Sequence, residues 1–146
     1  MKSHVRRLIL ILAVFTTLAM GCSAPLAAED NPQIGDVAAL LAELGPDVSV
    51  SEVAQLYGTG DVVVIDVREV DEYAGGHIPG AILMPLGTVP QRSGEIPVDQ
   101  PVIVVCRTDN RSAQAVQWLR QQGFTNVHRM FGGMVAWEAA GNEIEQ

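Results

Sequence analysis

Cys106 closes the apolar run Val102-Ile103-Val104-Val105 and opens a polar stretch, Arg107-Thr108-Asp109-Asn110-Arg111-Ser112. A helical pattern follows at once. A strand, a tight loop and a helix N-terminus in succession make a cradle of backbone N–H groups, which favours a negative charge. A thiolate is such a charge. Beside two guanidinium groups at a helix start, a cysteine is expected to titrate below the ordinary thiol and to act as a nucleophile at neutral pH. The plainer reading is a small buried residue that ends a core strand; the flanking loop favours the nucleophile.

The elements that must position this loop are legible from periodicity. Residues 62–67 form a β-branched run expected to be a strand buried on both faces, and residues 81–84, 102–105 and the neighbourhood of Val127 read as further strands. Helical spacing covers Val37, Leu40, Leu41 and Leu44, stopped by Gly45-Pro46. A second helix opens with Ser49 and Glu52 at capping-box spacing and turns Val53 and Leu56 inward. Residues 69–74, 112–122 and 135–140 read as helices, and residues 87–101, with three prolines, as a surface crossover with one helical turn near Val89. Strands alternating with helices imply an α/β fold whose largely parallel sheet is covered on both faces, with ligands at the carboxyl ends of the strands. Cys106 is at such an end. Asp66 and Arg68, near the end of a neighbouring strand, are expected toward the same rim, where they either orient the loop and its arginines or form a structural ion pair.

The first residues read as an address. Lys2, Arg6 and Arg7 precede an apolar stretch, residues 8–20, too short to span a bilayer comfortably. The segment ends in Leu18-Ala19-Met20-Gly21-Cys22, which resembles the bacterial lipobox, with Ala19 in place of the more usual Leu; a soluble exported protein cut near Ala27-Ala28 is the alternative. The resemblance implies a signal peptide over residues 1–21, lipidation at Cys22 and an extracytoplasmic, membrane-anchored domain. Residues 22–47 then serve as tether and short helix, and residues 48–146 as the folded domain. With Cys22 lipidated, Cys106 is the one free thiol, so sulfur or oxidising equivalents it takes up must leave to an external acceptor. Of the 9 basic residues three lie in the leader, leaving six arginines against 17 acidic residues, a formal net charge of −11. That balance argues against nucleic acid and against a polybasic grip on anionic lipid.

Several separated motifs together resemble a known family, the single-domain rhodaneses, over about 98 residues from Ser49. They are Asp66-Val67-Arg68-Glu69 with Glu72-Tyr73, Gly76-His77-Ile78-Pro79-Gly80-Ala81, the loop Cys106 to Ser112, and Gly132-Gly133 with Trp137. The resemblance implies a three-layer fold with a mostly parallel, about five-stranded central sheet. It also implies a sulfurtransferase that forms a persulfide on Cys106 from a donor such as thiosulfate and yields it to a thiol or cyanide, without metal or organic cofactor. The N–H groups of Arg107, Thr108, Asp109, Asn110, Arg111 and Ser112 would surround the sulfur, and Arg111 and Arg107 would bind the donor oxyanion. Four residues separate Cys106 from Arg111, whereas cysteine phosphatases and arsenate reductases use C-x5-R; the shorter loop suits one sulfur atom.

Asp109 departs from the family, where glycine is usual. A left-handed backbone there would cost Asp on the order of 1 kcal/mol, and a carboxylate near Cys106 would raise the thiol pKa and repel a dianionic donor. That departure motivates the rival reading, a binding or sensing module that keeps the fold without turnover. A thiol redox partner is the third reading, weakened by the missing resolving cysteine. His77 reads as a turn histidine bonded to backbone in preference to a catalytic base, Trp118 and Trp137 as core, and Gly132-Gly133 either as a border of the pocket that lets backbone approach the loop or, more plainly, as a turn. The three histidines show no metal-ligand spacing.

Overall fold

A computed structural model describes residues 37–146; the expected leader, Cys22 and most of the tether lie outside the described residues. In chain order the elements are α1 (Val37–Glu43), β1 (Asp47–Val48), α2 (Val50–Leu56), β2 (Val63–Asp66), α3 (Val70–Ala74), β3 (Ile82–Leu83), α4 (Val89–Arg92), β4 (Val102–Val105), α5 (Asn110–Gln121), β5 (Val127–Met130) and α6 (Gly133–Ala139). The five strands form one parallel sheet in the order β1-β5-β4-β2-β3. From β2 the chain moves outward to β3, and from β4 it moves the other way to β5. The connections leaving neighbours β2 and β4 therefore part at the carboxyl ends of the strands, the position at which folds of this kind bind ligands. Cys106 lies at that point.

Alternation along the strands divides the core in two. Val102, Val104 and Cys106 pack with Ile65, Val67, Ala115, Val116 and Leu119 on the α4 and α5 face. Ile103 and Val105 pack with Val64, Val53, Met134 and Trp137 on the other, with Leu40, Leu41 and Leu44 against them. All four β4 side chains are fully buried, which stabilises the fold by roughly 1.5–2 kcal/mol per side chain. β4 is thus the most fully buried strand, and Cys106 follows directly on it.

Local signals account for the helix starts. Ser49 Oγ accepts from Glu52 N at 3.2 Å, and the Glu52 carboxylate accepts from Ser49 N at 2.6 Å, the expected capping box. Several boundaries differ from those read in the sequence: β3 is cut to Ile82–Leu83, α3 starts at Val70 and α6 starts at Gly133. β1 is a two-residue strand paired with Arg129 and Met130, too short to show a period. β2 is trimmed to Val63–Asp66. α5 begins at Asn110, not Ser112, because Asp109 is already its N-cap and accepts from Ala113 N at 2.9 Å. Asn110 and Arg111 consequently sit in the first helical turn rather than in a free loop.

Candidate active site

The loop after β4 is shaped by the helix that follows β5. Met134 N donates to Cys106 O at 2.8 Å and Val135 N to Arg107 O at 3.0 Å, so two loop carbonyls satisfy the first turn of α6. Gly133 makes this approach possible: a side chain there would overlap the carbonyl oxygens of Cys106 and Thr108. Of the two readings of Gly132-Gly133, backbone approach to the loop is the one seen. With the carbonyls turned to α6, the N–H groups of Arg107, Thr108, Asp109, Asn110, Arg111 and Ser112 have no acceptor among the described residues. Successive free donors ending in the first turn of the twelve-residue α5 are a ready anion site.

Cys106 is 1% exposed. Its Sγ lies 3.4 Å from Ser112 Oγ, whose hydroxyl donates to Asp109 O at 3.0 Å. Ser112 thus offers a lone pair to a thiol or, on turning, a proton to a sulfur anion. Arg107, Thr108 and Asn110 are exposed.

Arg111 proves to be partnered, and one expectation for the loop, a left-handed Asp109, is corrected. Arg111 does not present an unpaired guanidinium: its Nη1 and Nη2 reach Glu72 Oε2 and Oε1 at 2.5 and 2.8 Å. Glu72 also accepts from Glu69 N at the start of α3. The Arg111 hydrogen bond, with smaller help from that N–H and from Arg68, lowers the Glu72 pKa to about 2 despite partial burial. Asp109 is not left-handed, having φ −150° and ψ −24°, so the expected strain is absent. Its carboxylate accepts from Gly132 N at 2.8 Å rather than entering the donor run.

Asp66 and Arg68 form a buried pair, with Arg68 Nη2 2.6 Å from Asp66 Oδ2 and 2.8 Å from Gly76 O. None of their side-chain hydrogen bonds reaches residues 106–112. The parity of the sheet is the reason. Asp66 is in register with Val105, on the opposite face from Cys106. The structural ion pair is therefore the arrangement present.

His77 is the expected turn histidine: its backbone pairs with Glu145 at 2.9 Å, its Nδ1 lies 3.0 Å from Tyr73 O, and its ring stacks on Tyr73. Trp137 is fully buried, and Trp118 is partly buried against the α5 face. No cluster with metal-ligand geometry occurs among the described residues. Arg129 had no role in the sequence reading. Its Nε bonds Asp47 Oδ1 at 2.8 Å, which raises its pKa, and the charges of Asp109 and Cys106 add to that shift. Pairing across two strands 82 residues apart left no local signal.

The rhodanese-like domain family matches residues 49–140. The chain is 41% identical over 90 residues to a sulfurtransferase of Allochromatium vinosum, covering 62% of this chain and 84% of that protein. It is 38% identical over 96 residues to the thiosulfate sulfurtransferase GlpE of Pseudoalteromonas translucida, covering 66% and 91%. Among solved structures, a rhodanese-related protein from Thermoplasma volcanium superposes with a TM-score of 0.64 at 27% identity over 69% of this chain and 98% of that one. A thiosulfate sulfurtransferase from Pseudomonas aeruginosa gives 0.64 at 32% identity over 69% of this chain and 20% of that one.

Proposed function

The chain belongs to the rhodanese-like domain family, and from that premise we propose that it transfers sulfane sulfur through a persulfide on Cys106. The observation that carries this reading is the run of free N–H groups from Arg107 to Ser112 around a thiol at the end of the most buried strand. Such donors stabilise an anionic sulfur without water and without reorganisation.

With thiosulfate as donor, the Cys106 thiolate attacks the outer sulfur. A new S–S bond forms on Sγ, the donor S–S bond breaks, and sulfite leaves with the electron pair. An acceptor thiolate or cyanide then attacks the outer sulfur of the persulfide, and the pair returns to Cys106. Each step exchanges one S–S bond for another bond to sulfur, so no separate oxidant or reductant enters. Thiosulfate stands here for a small anion bearing a transferable sulfur, attracted by the N–H run and by exposed Arg107. The Arg111 guanidinium, paired with Glu72, holds the loop against α3 and contributes charge beside the pocket.

Location is the second part of the proposal. A basic and apolar leader followed by Cys22 supports export and lipid anchoring, which would place sulfur exchange at a membrane surface outside the cytoplasm.

The test is intact-mass analysis of the purified protein after thiosulfate, with Cys106→Ser as control. Gain of one sulfur atom, removed by cyanide and absent in the control, is expected. No gain in a folded protein with a free thiol would refute thiosulfate as donor and favour the non-catalytic binding module.

A further inference from the structure

Asp109 occupies the N-cap position of α5, where an aspartate ordinarily accepts from N–H groups of its own helix. Here it makes no such bond. The free donors at the start of α5 are the ones an anionic sulfur needs, and a carboxylate folded back onto them would fill the pocket. Instead the side chain crosses to α6 and takes Gly132 N at 2.8 Å. It joins two backbone bonds of the same seam, Met134 N to Cys106 O and Val135 N to Arg107 O.

We infer that Asp109 is a positioning residue: its carboxylate, held by Gly132 rather than by its own helix, fastens the Cys106 loop to α6 and keeps the run of N–H donors open. This inference rests on the sulfur-transfer reading and specifies how this chain, with aspartate where a glycine is usual, builds the same cradle. A glycine at this position has no side chain to fasten; the aspartate supplies a third seam bond.

The experiment compares Asp109→Ala and Asp109→Asn with the parent protein. Two readouts are used. The first is single-turnover sulfur uptake from thiosulfate. The second is the ratio of the rates at which iodoacetate and iodoacetamide alkylate Cys106, read on the peptide that bears it. The ratio reports how well the pocket receives an anion, whether or not sulfur transfer occurs. Asp109→Ala should slow uptake about tenfold and lower the ratio about threefold, because the seam bond is lost. Asp109→Asn keeps an oxygen that accepts from Gly132 N, and should recover uptake to within about threefold of the parent. Equal acceleration in both variants would overturn the inference, since the carboxylate would then act only as a repelling charge. A lowered melting temperature with an unchanged ratio in Asp109→Ala would overturn it too. Absence of uptake by the parent would count against the sulfur-transfer reading, while the ratios would still test the seam.

Discussion

Glu72 holds both terminal nitrogens of Arg111, at 2.5 and 2.8 Å, and thereby ties α3 to the first turn of α5. The pair is half-buried, 21% and 26% exposed, so its contribution falls between that of a surface pair and a core pair. The Glu72 carboxyl titrates at about 2 in the fold against an ordinary 4.5. Its stabilisation is therefore fully present above pH 4.5, falls as the pH drops, and is spent near pH 2. After screening by solvent it amounts to about 1–2 kcal/mol. Glu72→Gln should lose that amount at neutral pH, and the gap to the parent should narrow toward the acid end of the window. Urea unfolding at several pH values checks this; a gap independent of pH would remove the ion pair as its cause.

Gly133 is expected to be the least replaceable glycine. It has φ +59° and no room for a side chain against the loop carbonyls. Gly133→Ala should cost about 3 kcal/mol and displace the Cys106 loop. Gly80→Ala is the matched control, with φ +75° and open space around it, and should cost only about 1 kcal/mol. Denaturation curves with sulfur uptake per folded molecule separate the two. Similar losses at both positions would mean that backbone conformation, not the close approach, matters.

Breaking the Asp66–Arg68 pair should harm the fold and spare the chemistry. Arg68→Met leaves a fully buried carboxylate without its partner, at a cost of about 3–5 kcal/mol. Uptake of sulfur per folded molecule should stay within about twofold, because the pair faces away from Cys106. A larger loss in a variant that is still folded would make Arg68 part of the reaction site.

For the proposed anchor, Cys22→Ala should release the protein from membranes while leaving sulfur uptake by Cys106 intact. Fractionation of cells making each form checks it, and persistent membrane association of the variant would refute attachment at Cys22.

Much of the site was legible because its signals are local. An apolar run ending in cysteine, the capping box of Ser49 and Glu52, and the paired glycines at the start of α6 each lie within a few residues of what they organise. What was missed depends on pairs distant in sequence. Glu72 and Arg111 are 39 residues apart, and Asp109 and Gly132 are 23 apart. Nothing along the chain announces that two side chains of opposite charge will meet, or that an aspartate will ignore its own helix. The placement of Asp66 is different. Alternation puts it on the opposite face from Val67, and Val67 is the residue beside the end of β4, so counting parity against the strand pairing accounts for its distance from the loop. β1 was invisible for a simpler reason, since two residues cannot display an alternation.

The seam between the Cys106 loop and α6 also orders events in time. Synthesis runs from the N-terminus, so the cysteine and its loop are made before Gly132, 23 residues beyond Asp109, and before the amides of Met134 and Val135. Until those residues arrive, the carbonyls of Cys106 and Arg107 have nothing to hold them and the donor run has no fixed direction. The cysteine is thus made before the helix that fixes its loop.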